Sequence, residues 1–110
     1  MKIHKKPVEL PGIRNITISG RIGTGKTTLA EHLARELKWN SLDGGKIFRK
    51  LTHEMGEHIK NTHKRPDSLD LAYEEKIKKL LKEEDNHVIQ SHLAGFDAQG
   101  IKGVFKILVI

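Results

Sequence analysis

The 110 residues contain no cysteine, so disulfide bonds and thiolate metal sites are excluded. Aromatic side chains are nearly as scarce, with three Phe, one Trp and one Tyr. So few rings make a poor stacking platform for bases, and a nucleic-acid partner is not expected. Long apolar runs are also missing. Nothing approaches the roughly 20 residues of a membrane-crossing helix. The basic start Met1-Lys2-Ile3-His4-Lys5-Lys6-Pro7 is not followed by the apolar segment of a signal peptide. The expectation is a cytoplasmic protein with no membrane partner. Acidic residues are in the minority, 14 against 20 Lys and Arg, and the net charge of +6 suits polyanionic ligands. This length allows one domain at most, large enough for a core but small for a complete nucleotide-binding enzyme.

Against these absences stands one dense motif. Gly20-Arg21-Ile22-Gly23-Thr24-Gly25-Lys26-Thr27 fits G-x-x-x-x-G-K-[S/T], the phosphate-binding loop. By chance its four fixed positions would match in roughly 0.5% of chains this short. Its surroundings fit too, with Ile13, Ile16 and Ile18 on an incoming strand and a helix leaving from Thr27. The chemistry explains the residue types. Glycines let the backbone curl so that successive N–H groups face phosphate oxygens, and the helix N-terminus adds donors and partial positive charge. Residues 20–28, with Thr28 the last, are therefore the expected cradle for the phosphates of ATP. Lys26 is the expected catalytic cation on the β- and γ-phosphates, and the Thr27 hydroxyl the expected Mg²⁺ ligand.

The remaining pattern alternates strand and helix. Residues 1–12, with Pro7, Pro11 and Gly12, read as a flexible basic arm, and 13–110 as one domain. Residues 13–19 predict a first strand. Leu29, Leu33 and Leu37 with Ala30 and Ala34 give one helical stripe over 26–38. A short strand is predicted over 39–42 and a helix over about 46–55, with Asp43 available as a cap. Residues 56–66 are polar and read as a loop or weak helix. The next helix begins at Asp67 or Ser68, buries Leu69, Ala72, Tyr73, Ile77, Leu80 and Leu81, and stops at Asn86. Strands follow at 87–90 and 104–110. Alternation of this kind predicts a parallel sheet with right-handed crossovers, flanked by helices in three layers. The final apolar strand needs covering, so either the chain is a fragment lacking its C-terminal part, or that strand lies at a protected edge.

Four segments together resemble a nucleoside monophosphate kinase, most closely the archaeal-type cytidylate kinases. They are Ile16-Thr17-Ile18-Ser19 with its loop, Ser41-Leu42-Asp43-Gly44-Gly45-Lys46-Ile47-Phe48-Arg49, the helix from Asp67 to Leu81, and Val88-Ile89-Gln90-Ser91-His92-Leu93-Ala94-Gly95-Phe96. The second is similar to the family pattern S-A-G-E-I-F-R and the last to E-G-R-L-A-G-W. The resemblance implies transfer of the ATP γ-phosphoryl to CMP or dCMP with Mg²⁺, a reaction carried by positioning and charge stabilisation. It also implies an acceptor site with Arg49 as a planar, bidentate phosphate ligand. Asp43 is an acceptor contact, a metal contact or a helix cap on this reading, and Arg49 otherwise a solvent-exposed helix residue. Two positions depart from the pattern: His92 replaces an arginine and Gln90 a carboxylate. A histidine cannot form the bidentate fork. The family's mobile lid and its arginines have no counterpart in these residues. Open alternatives are another small-molecule kinase (shikimate-like or adenylate-like), a non-catalytic ATP-binding module, and a nucleic-acid-associated ATPase. The histidines of His53-Glu54-Met55-Gly56-Glu57-His58 stand five apart, off the i,i+4 spacing of a helical zinc pair, and read as surface residues.

Overall fold

A computed structural model describes residues 6–21, 25–62, 67–91 and 99–110, with the backbone alone over 55–62 and 67–70. The described residues form, in chain order, β1 (Asn15–Gly20), α1 (Lys26–Leu37), β2 (Asn40–Asp43), α2 (Gly44–Thr62), α3 (Asp67–Glu83), β3 (His87–Gln90) and β4 (Val104–Val109). The sheet is parallel throughout, in the order β2-β3-β1-β4. The chain leaves β1, passes over β3 to form β2, returns to β3, and then crosses to the other side of β1. Such a reversal opens a crevice at the carboxyl ends of the strands, where ligands of open α/β sheets bind.

The layers follow from strand alternation. Ile16, Ile18 and Val88 point to one face and pack with Ala30, Ala34 and Trp39. The two alanines, both buried, let α1 lie close on the sheet. On the other face Ile89 packs with Leu51, Tyr73, Ile77 and Leu81 from α2 and α3. β1 and β3 are therefore buried on both sides, and every residue of β3 is buried. Asn15 turns toward α3, where its amide donates to the carbonyls of Leu81 (3.2 Å) and Glu84 (2.8 Å) and accepts from the His87 N–H (3.0 Å). A buried side chain thus satisfies carbonyls that the helix end leaves open.

Three expectations are corrected. The arm over 1–12 lies partly outside the described residues (1–5), but beyond them it is docked rather than flexible. The Val8 N–H donates to the Leu37 carbonyl (2.8 Å), Trp39 Nε1 donates to the Val8 carbonyl (2.9 Å), and Leu10 bridges Ile13. Leu10, packed on the core beside the buried indole, and the backbone bonds of Val8 supply contacts that a count of lysines hides. The second helix does not stop at 55 but continues to Thr62. One glycine costs about 1 kcal/mol in a helix, too little to end one. The second strand is shifted by one residue and ends at Asp43. Among the described residues β4 pairs with β1 alone, and Phe105 and Leu108 are exposed there. Among the described residues no helix is long and apolar enough to cross a membrane.

Candidate phosphate and acceptor site

The carboxyl ends of β1, β2 and β3 carry Gly20, Asp43 and Gln90, and each expected site residue that is described lies on or beside them. Gly25 precedes α1 with φ 82° and ψ 13°, the left-handed region that a side chain would strain. Among the described residues no side chain caps α1, and no acidic residue stands in its first turn. The N–H groups of Lys26, Thr27 and Thr28 therefore open the helix with donors and positive potential that an anion would satisfy. Lys26 Nζ donates to the Gly20 carbonyl at 2.9 Å, which holds the ammonium at the carboxyl end of β1. Arg21 is exposed at the start of the loop, whereas Ile22, Gly23 and Thr24 lie outside the described residues.

Thr27 makes a contact that sequence reading missed. Its hydroxyl donates to Gln90 Oε1 at 3.0 Å, tying the first turn of α1 to the end of β3. The apolar pattern placed β3 correctly, but nothing in a linear pattern pairs residues 63 apart. The only available signal was that both occupy strand and helix ends facing one crevice.

The residues expected on the acceptor side lie on β2, the start of α2 and the end of β3. Asp43 Oδ1 accepts from the Gly45 N–H at 2.8 Å, so the carboxylate caps α2. A Cβ placed on Gly45 would lie 3.1 Å from Asp43 Oδ1 and 3.5 Å from Arg49 Nη1. The guanidinium therefore folds back over the first turn toward Asp43. Arg49 is exposed, and among the described residues it makes no hydrogen bond or ion pair, which leaves its fork available. Gly44 is buried where α2 meets Tyr73 and Ser91, whose hydroxyls are 2.8 Å apart. Ser91 is held in turn by its N–H, which donates to the Ile18 carbonyl at 2.9 Å. Phe48 meets the Tyr73 ring edge-on, centroids 5.6 Å apart. Tyr73 and Ser91 are the second pair that the sequence alone did not single out for this site. His92, expected beside the acceptor phosphate, lies outside the described residues.

The loop motif between the central β1 and α1, with Lys26 on the Gly20 carbonyl and Asp43 and Gln90 at the other strand ends, defines a phosphate-loop α/β domain. The chain belongs to the AAA domain family, whose model matches residues 16–109. Among its relatives are cytidylate kinases. That of Saccharolobus islandicus is 40% identical over 84 residues, covering 74% of this chain and 44% of that enzyme. That of Methanosarcina acetivorans is 32% identical over 97 residues, covering 86% and 54%. The chain thus spans about half the length of the curated relatives it matches. In structure it is similar to shikimate kinase from Bacteroides thetaiotaomicron, with TM-score 0.53 and 25% identity over 71% of this chain and 43% of that one. Homology to cytidylate kinases, as the four segments implied, is therefore borne out.

Proposed function

We propose that this chain binds ATP at the 20–28 loop and serves phosphoryl transfer to a nucleoside monophosphate, CMP or dCMP to the diphosphate. The observation that carries this reading is the meeting, at one end of the sheet, of a phosphate cradle and an uncommitted arginine. Lys26 Nζ lies on the Gly20 carbonyl at the end of β1, and the exposed Arg49 stands in the second turn of α2, which follows directly on β2. Cationic groups on two helices that start from strand ends suit a donor and an acceptor phosphate. The cytidylate kinase relatives support CMP as acceptor, and their length supports a whole protein that extends beyond these residues.

In this reading Lys26 leaves the Gly20 carbonyl for the β- and γ-phosphates and spreads the charge that develops on the transferred group. The N–H groups of residues 25–28 hold the phosphate chain in line. Arg49 orients the acceptor phosphate through parallel N–H donors. Mg²⁺, when bound, neutralises phosphate charge, and the oxygen ligands on offer (the Thr27 hydroxyl, the Gln90 amide and the Asp43 carboxylate) are of the type it takes. The test is ADP release from ATP and Mg²⁺ with each of CMP, dCMP, UMP and AMP. Turnover highest with CMP or dCMP is the expected result, and none above background with any acceptor would defeat the kinase reading.

One observation favours a second reading, a non-catalytic ATP-binding module: the residue facing Thr27 from β3 is the neutral Gln90. That module predicts ATP binding with no acceptor-dependent ADP release.

A further inference from the structure

Arg49 can serve an acceptor phosphate only if α2 holds it at a fixed place relative to the end of β1. The Asp43 cap does not supply that, because it links residues 43 and 45 of one continuous segment. A joint between distant elements does. The Ser91 N–H, just past β3, donates to the Ile18 carbonyl at 2.9 Å, two residues before the end of β1 at Gly20. The Ser91 hydroxyl lies 2.8 Å from the hydroxyl of Tyr73, which comes from α3. Gly44, the first residue of α2, rests against both, since a Cβ there would come within 3.0 Å of each side chain. One turn later the Phe48 ring meets the Tyr73 ring edge-on, centroids 5.6 Å apart. Residues 44 and 48 share a face of the helix, so Tyr73 touches α2 at two points along its axis. Two such contacts fix the tilt of the helix as well as its place. Arg49 follows Phe48 directly, about 100° further round, and its exposed guanidinium moves with that turn.

We propose that Tyr73, through its hydroxyl on Ser91 and its ring on Phe48, is a positioning residue that sets Arg49 for the acceptor phosphate. This rests on the acceptor reading of Arg49 and assigns Tyr73 no contact with either nucleotide. The residue type suits the task. Tyr73 is buried, and a buried phenol keeps a hydrogen-bond partner because leaving it without one is costly. The bond to Ser91 therefore holds the ring at a set height above β3, and the ring holds α2. The result is a continuous line of contacts from the carboxyl end of β1, through Ile18, Ser91 and Tyr73, to the turn that carries Arg49.

The test is calorimetric binding of CMP, and separately of a non-hydrolysable ATP analogue, to the full chain. Tyr73→Phe keeps the ring and removes the hydroxyl. CMP should then bind about three- to tenfold more weakly, with the ATP analogue within about twofold of native. Ser91→Ala removes the other half of the same bond, so the two changes together should weaken CMP binding little more than either alone. The decisive arm is Arg49→Ala, which should itself weaken CMP by about tenfold or more. Adding Tyr73→Phe to it should change CMP affinity by less than about twofold, since no guanidinium is left to position. Native CMP affinity in Tyr73→Phe would overturn the proposal. So would a loss that persists in full on top of Arg49→Ala, or equal weakening of CMP and the ATP analogue, the mark of a role in folding alone. A native chain that binds the ATP analogue but not CMP would overturn the acceptor reading and this one with it. CMP binding that follows these expectations without acceptor-dependent ADP release would defeat the kinase reading and leave the role of Tyr73 standing.

Discussion

Replacing Gly44 by alanine puts a methyl group where the structure has no room for one. A Cβ there would come within 3.0 Å of the Tyr73 hydroxyl and of both Cβ and Oγ of Ser91. Tyr73 and Ser91 are themselves bonded at 2.8 Å, and Ser91 is anchored to β1, so neither can retreat freely. Overpacking of this kind costs about 1–3 kcal/mol, and forcing the two hydroxyls apart costs about 1 kcal/mol more. Alanine returns up to about 1 kcal/mol of helix propensity at the start of α2. The net is about 2 kcal/mol of destabilisation, or a Tm lower by about 10 °C for a domain of this size. Gly45→Ala is the control. Its Cβ meets Asp43 Oδ1 at 3.1 Å, a contact that a shift of a few tenths of an ångström relieves, so its Tm should stay within about 3 °C of native. Thermal melts followed by circular dichroism decide the matter. A Gly44→Ala melt within about 2 °C of native would refute the claim that α2 is seated directly on Tyr73 and Ser91.

Other variants probe the remaining joints. Lys26→Ala removes a charge-assisted phosphate contact of about 1.5–3 kcal/mol, so ATP should bind about ten- to hundredfold more weakly in calorimetry, with the melting profile little changed. Asn15→Leu strips the Leu81 and Glu84 carbonyls and the His87 N–H of their partner, and urea titration should show a loss of about 2–4 kcal/mol. Ile77→Ala opens a cavity between α3 and the sheet where the side chain is fully buried, at about 2–5 kcal/mol by the same titration. Arg14→Ala breaks an exposed pair with Asp85 (2.6 Å) and two carbonyl contacts, and should cost no more than about 1 kcal/mol.

How much of this was legible beforehand depends on the range of the interaction. The stripe of α1 and the start of α3 are local patterns, and each lies where its residues put it. The length of α2 was underestimated because polar residues after Met55 carry no periodic signal, although most of them are adequate helix formers. The arm over 6–12 was misread because its anchors, Leu37 and Trp39, lie about thirty residues away. For the site, Lys26, Thr27, Asp43 and Arg49 could be proposed from motif and resemblance. Their grouping could not.

By itself the sequence determined that a phosphate-binding loop joins a buried strand to a helix, because a glycine at positive φ, a lysine and a threonine at fixed spacing are local demands of backbone geometry. The tertiary structure alone decided which groups face that loop. The order β2-β3-β1-β4 set Gln90 against Thr27 and Asp43 beside Gln90, through a register held by backbone hydrogen bonds between distant strands. Those bonds are alike for every residue type. Register is chosen by the burial of Ile16, Ile18, Val88 and Ile89 on the two faces, a property of the packed sheet rather than of any one segment.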